Sequence, residues 1–353
     1  MTYKRFFYSF LILTIGFILG IVAINYIIDP LQFYRKASFY QPVFSEEQRY
    51  QNPALAKTYD YDTVIIGTSM TENFMSSYVD QKFGGNTLKL SISGGSAREQ
   101  YLIANKAIET GKVKRVIWCL EYSAFRGDAH RVRNDYGSFP YYLYDNNPVN
   151  DIRYLLNKDT LMTGLKGIFV QNALKPKALE TLNNWESVAT YGEDKVISSF
   201  KQFKADKNFP FKEFKLQDIK DSIDENLLPI IDKNDDIEFF VYYPPYSILR
   251  YRFFYESDPQ LFYNELEMKR YIFDKTKGYE NINIYDFQDV KEITFDFENY
   301  KDISHHSQQI NEYIIDAIVE GKHRVTEQNL DKKLNNLNKQ LNESYRFAPK
   351  DFQ

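Results

Sequence analysis

The chain has 353 residues and a formal net charge of −4. That length can bury one large core or two modest ones, and the charge gives no basic footprint for nucleic acid. Cys119 is the only cysteine, so an intrachain disulfide and the usual Cys/His zinc site are both excluded.

Lys4 and Arg5 precede an almost unbroken apolar run from Phe6 to Ile28, ended by Asp29-Pro30. Crossing a hydrocarbon core takes ~20 residues, so this run reads as a transmembrane signal anchor over residues 1–30. It is longer than a secretory h-region, and no small-x-small cleavage site follows before Asp29. Basic residues on the amino side predict a cytoplasmic amino end, a single-pass cell-membrane protein and an extracytoplasmic body. Residues 31–61, polar and aromatic with little periodicity, read as a connector.

The body opens at Asp62–Phe74, DTVIIGTSMTENF. Val64, Ile65 and Ile66 have the composition of a buried strand. Gly67 allows a sharp turn, Thr68 and Ser69 occupy it, and Thr71 is positioned to cap a helix reaching Phe83. Such a strand–turn–helix places the Ser69 hydroxyl at the carboxyl end of a sheet. Gly84-Gly85-Asn86 is a turn signal, and 87–90 a second strand. Ser96 and Glu99 form a capping box for a helix to about Thr110, and 114–120 is a third strand. Beyond Phe125 the alternation stops, and residues 125–235 read as an insertion above the sheet. It resumes at 237–243, runs into Pro244-Pro245-Tyr246, and continues with a helix at 260–277 and a strand at 282–285. Strands alternating with helices predict an α/β fold: a three-layer α/β/α domain over residues 62–321, with a parallel flavodoxin-like sheet. Ligands of such sheets bind beyond the carboxyl ends of the strands. The tail, 322–353, repeats leucine at Leu330, Leu334, Leu337 and Leu341, a narrow helical stripe that would dock on the body or on a partner.

Asp302 and His305 lie three residues apart where the chain enters the last helix of the domain, 308–320. A histidine there can take a serine proton, provided a carboxylate fixes its tautomer. Gly-x-Ser after the first strand and Asp-x-x-His before the last helix resemble the SGNH, or GDSL-like, hydrolase superfamily. The resemblance implies Ser69 as nucleophile, Asp302 and His305 as its base pair, and an oxyanion hole from Ser69 with Gly94 or Gly95. Two positions depart from the family pattern. Thr68 replaces the acidic residue before the serine, and CLEYSAF stands where a Gly-x-Asn-Asp block belongs. Together with the anchor, these features resemble the branch of extracytoplasmic proteins that act with membrane-bound O-acyltransferases, as in alginate acetylation and teichoic-acid D-alanylation. That branch implies a surface glycan or polyol-phosphate polymer as substrate, a membrane-bound O-acyltransferase as partner, and no cofactor or metal.

Tyr122, Tyr243, Tyr246 and Arg98 are candidate substrate contacts, although buried aromatics and an exposed helix arginine are the commoner roles for such residues. His306 beside His305 invites a metal pair, but neighbouring side chains diverge, and a solvent-facing or supporting role is expected. Glu121 reads either as a second acid or as a polar strand terminus. Two functional classes follow. One is a serine acyltransferase or esterase working through an acyl-Ser69 intermediate. The other is an inactive anchored subunit that binds glycan or organises an acyltransferase.

Overall fold

The computed structural model describes residues 3–134, 137–169 and 178–345. The chain divides into two compact units, Met1–Asp60 with Ser138–Leu182, and Tyr61–Gly137 with Asn183–Gln353.

The first unit begins with a helix over Tyr3–Ile28, which among the described residues alone is long and apolar enough to cross a membrane. It ends at Asp29, whose backbone turns to φ 49°. The Asp29 carboxylate accepts the N–H groups of Phe33, Tyr34 and Arg35 at 2.7–3.0 Å and the Tyr154 hydroxyl at 2.9 Å. Asn25 donates to the Leu155 carbonyl at 2.8 Å. Residues 31–61, expected as a connector, contain a helix at Gln48–Thr58. Its sequence, QRYQNPALAKT, hides it, because an interior Pro53 opposes helix and the buried face is partly polar. Gln51 explains that polarity: it accepts from Ser45 N–H and donates to the Leu31 carbonyl. The stretch 125–235 is shared between the units: 138–182 groups with the first, and 125–137 with 183–235 group with the second.

The second unit is built on five parallel strands: β1 Thr63–Ile66, β2 Thr87–Lys89, β3 Arg115–Cys119, β4 Glu238–Tyr243 and β5 Ile282–Asp286. Their order is β2-β1-β3-β4-β5, that of flavodoxin-like sheets, and helices flank the sheet. β1 and β3 are buried almost throughout, as a sheet covered on both faces requires. The register pairs Ile66 with Trp118 and Cys119 with Tyr242, so β1, β3 and β4 end together. Gly67 follows β1 where space is short: a Cβ there would lie 2.5 Å from Thr71 Cγ2 and 2.9 Å from Cys119 Cβ.

Two local expectations change. Thr71 is not an N-cap. A 3₁₀ turn occupies Ser69–Thr71, Thr68 caps it, and the α-helix starts only at Ser76. The Thr71 hydroxyl instead donates to the Thr68 carbonyl and meets Ser91 Oγ. The leucine stripe forms a helix, Leu330–Ser344, whose four leucines are buried. It packs on the body of its own unit, and Lys333 reaches Asp289 at 2.7 Å and the Asp286 carbonyl at 3.0 Å.

Candidate active site

The loops that leave β1, β2, β3 and β4 meet the Asp302–His305 segment around a pocket of about 210 Å³. Ser69 stands at the first position of the 3₁₀ turn, and its Oγ lies 2.8 Å from His305 Nε2. His305 Nδ1 lies 2.8 Å from Asp302 Oδ2. The other Asp302 oxygen accepts the N–H groups of Ser304 and His305 at 2.7 and 2.8 Å, a tight local turn that fixes the carboxylate under the ring. Burial opposes the Asp302 charge, but the bond to His305 and the two backbone donors outweigh it and hold the carboxyl down to about 2. A negatively charged carboxylate on Nδ1 leaves Nε2 free to accept the Ser69 proton.

Gly94 and Gly95 both line the pocket, but their N–H groups differ. That of Gly95 donates to the Ile92 carbonyl at 2.8 Å and is spent on the turn. Among the described residues, the N–H groups of Ser69 and Gly94 meet no acceptor. Gly94 adopts φ +58°, a conformation that favours glycine.

Glu121 is the second acid of the pocket, not a solvated strand end. It follows β3 and is buried, with one oxygen accepting from the Thr68 hydroxyl and the other from Tyr246 at 3.0 Å. Burial raises its pKa, against the hydrogen bond from Thr68 and the nearby His305. Thus Tyr246 does line the site. Tyr122, Tyr243 and Arg98 do not. Tyr122 is buried against Phe214 and Phe254. Tyr243 is buried beneath the Lys269 ammonium, and the Arg98 guanidinium covers Tyr101. Tyr243 ends β4 and Tyr122 opens a 3₁₀ turn after β3, and both rings enter the core, a direction that proximity to a strand end does not reveal.

Trp185 and Arg250 escaped the sequence reading. The Trp185 ring meets His305 edge-on at 5.7 Å, and its indole N–H donates to the Ser69 carbonyl at 3.3 Å. Asn73 clamps this segment by accepting Trp185 N–H at 2.9 Å and donating to Glu186 at 3.0 Å. No local pattern marks Trp185, because the contact joins residues more than a hundred positions apart. Arg250 sits on a helix, Ile248–Ser257, also unexpected, and lines the pocket. A charged residue within the apolar run SILRYRFF was the available signal.

His306 faces away from His305 and is buried, not solvent-facing, with Nδ1 3.3 Å from the Ser307 carbonyl. A bridge between Tyr300 and His306 tucks it inward. Among the described residues no cluster of His, Cys, Asp or Glu is arranged to hold a metal ion. Burial lowers the His306 pKa to about 4, so the folded state keeps it neutral while the unfolded chain protonates it near 6.5. The unfolded state therefore binds more protons between those values, and stability falls as pH drops from 6.5 towards 4, by up to about 3 kcal/mol. Urea unfolding of wild type and His306→Phe across that range should show the slope in wild type and its loss in the variant. Parallel pH profiles would refute the assignment.

Comparison of this chain with protein-family models and with curated proteins finds no match among either.

Proposed function

We propose that the protein is an SGNH-like serine acyltransferase or esterase that acts on O-acyl groups of a cell-surface polymer. The observation that carries this reading is the chain of two 2.8 Å contacts, Ser69 to His305 and His305 to Asp302, beside an open pocket. Ser69 Oγ attacks the ester carbonyl while its proton passes to His305 Nε2. The Asp302 carboxylate stabilises the imidazolium, and the N–H groups of Ser69 and Gly94 are the donors available to the oxyanion. Collapse of the tetrahedral intermediate breaks the bond to the alcohol, which leaves with the His305 proton. An acyl-Ser69 ester remains. An acceptor hydroxyl, or water, then gives its proton to His305 and attacks the ester, and Ser69 recovers that proton as the acyl group departs.

The test is covalent labelling by a fluorophosphonate. Wild type should be labelled and Ser69→Ala should not; an unlabelled wild type sinks the reading. One observation favours the alternative of an anchored binding or scaffold subunit: the loop after β3 offers Glu121, a carboxylate, where a further oxyanion donor would be useful.

Lys4 and Arg5 before the apolar helix support a body outside the cytoplasmic membrane, and the resemblance to the O-acyltransferase-linked branch supports a membrane-bound O-acyltransferase as its partner. Protease added to intact spheroplasts should digest the body. Protection that persists until the membrane is permeabilised would reverse the orientation.

A further inference from the structure

We infer that the molecule bound beside Ser69 carries an oxyanion, a phosphate or a carboxylate, held by the buried guanidinium of Arg250 with Arg126 on the same pocket wall. The inference rests on the Ser69 pocket being the substrate site, and it narrows the polymer proposed above to an anionic one.

Arg250 is only 5% exposed, and its Nη1 is buried without a hydrogen-bond partner. The guanidinium lies 4.5 Å from the Tyr246 ring centre and 4.1 Å from that of Phe254, contacts that set its position and strip its water. Glu121 and Glu265 act on it through space, but among the described residues neither forms an ion pair with it. Both Glu121 oxygens are already engaged, by Thr68 and Tyr246. A buried donor on a charged group is costly to leave unmade. Arg250 also lines the pocket, and the planar fork of arginine fits carboxylate and phosphate.

The two neighbouring arginines have different duties. Arg131 donates to the carbonyls of Arg126, Ser123 and Ala124 at 3.1–3.4 Å and braces the loop after β3. Arg126 pairs with Glu213 through Nε at 3.0 Å and is partly exposed. The charged lining is therefore three guanidinium groups against Glu121, whose burial favours its neutral form. Such a pocket attracts anions, whereas a neutral glycan would bring Arg250 acceptors but no counter-charge.

The experiment uses full-length Ser69→Ala protein in a neutral detergent, so that turnover cannot intervene. Its unfolding temperature is followed against glycerol 3-phosphate, glucuronate and glycerol at constant ionic strength. A saturable rise is expected with at least one anion and none with glycerol; the phosphate and carboxylate arms identify the source of the oxyanion. Arg250→Lys keeps the charge but loses the fork, and should weaken binding roughly tenfold or more. Arg250→Gln should abolish the response. Should that variant fail to fold, Arg126→Gln should still weaken it, while Arg98→Gln, outside the pocket, should not. Absence of a saturable rise with either anion overturns the inference, as does a response undiminished in Arg250→Lys and Arg126→Gln. These outcomes separate from those of the acyl-enzyme reading. Anion binding without fluorophosphonate labelling would keep the subsite and remove the nucleophile, and labelling without anion binding would do the reverse.

Discussion

Ser69→Ala, His305→Ala and the double variant are expected to lose acyl transfer to the same extent, on the order of 10⁴-fold or more. Proton transfer and attack are one event along the 2.8 Å contact between Ser69 Oγ and His305 Nε2, so removing either partner removes both functions. Additive losses in the double variant would contradict a shared step. Asp302→Asn should cost as much or less, because it acts through the imidazole and leaves the nucleophile in place. The purified proteins can be compared on a chromogenic acyl ester, and the cells by the acyl content of their surface polymer. Expression and membrane insertion should be unchanged, since Ser69, Asp302 and His305 all border the pocket or its rim and none is part of the apolar core. Unaltered surface acylation at normal expression of Ser69→Ala would leave the scaffold reading in possession.

Lys269→Met should destabilise the second unit by about 3–5 kcal/mol. Lys269 and Asp286 form an ion pair of 2.5 Å with both side chains 1% exposed. Lys269 also donates to Gln288 Oε1 at 3.0 Å, and Asp286 accepts Gln288 N–H at 2.9 Å. Removing the ammonium leaves a carboxylate buried without its counter-charge at the end of β5. The double variant Lys269→Met with Asp286→Leu should recover much of the loss, because an apolar pair asks for no solvation. A residue of about 1–3 kcal/mol should persist for the Gln288 N–H left without its acceptor. Urea midpoints of the four proteins form a double-mutant cycle. A single variant within error of wild type would show that water reaches the pair.

The Gly-x-Ser and Asp-x-x-His motifs, the five strands and the apolar amino-terminal helix were legible because each depends on local chemistry. A β-branched run makes a strand, glycine admits a turn, and Asp302 reaches His305 across three residues of one loop. Strand edges shifted by a residue or so, as hydrogen bonding at the ends decides them. The alternation of strands with helices also implied a parallel sheet, since parallel neighbours need a crossover between them.

What the local pattern could not supply was direction and pairing over distance. Tyr122, Tyr243 and Tyr246 all follow or end strands, yet only Tyr246 lines the pocket, where its hydroxyl meets Glu121. Gly94 and Gly95 are adjacent and alike in sequence, but only the fold spends one N–H on Ile92. Leu330, Leu334, Leu337 and Leu341 announced a helix without naming its partner, which includes the helix Ile248–Ser257 of the same unit. Trp185 against His305 and Glu121 beneath Thr68 join segments from across the chain. Side-chain type and spacing determined which groups this protein possesses. Only tertiary packing decided which of them lost water and faced one another, and that loss of water sets their electrostatics.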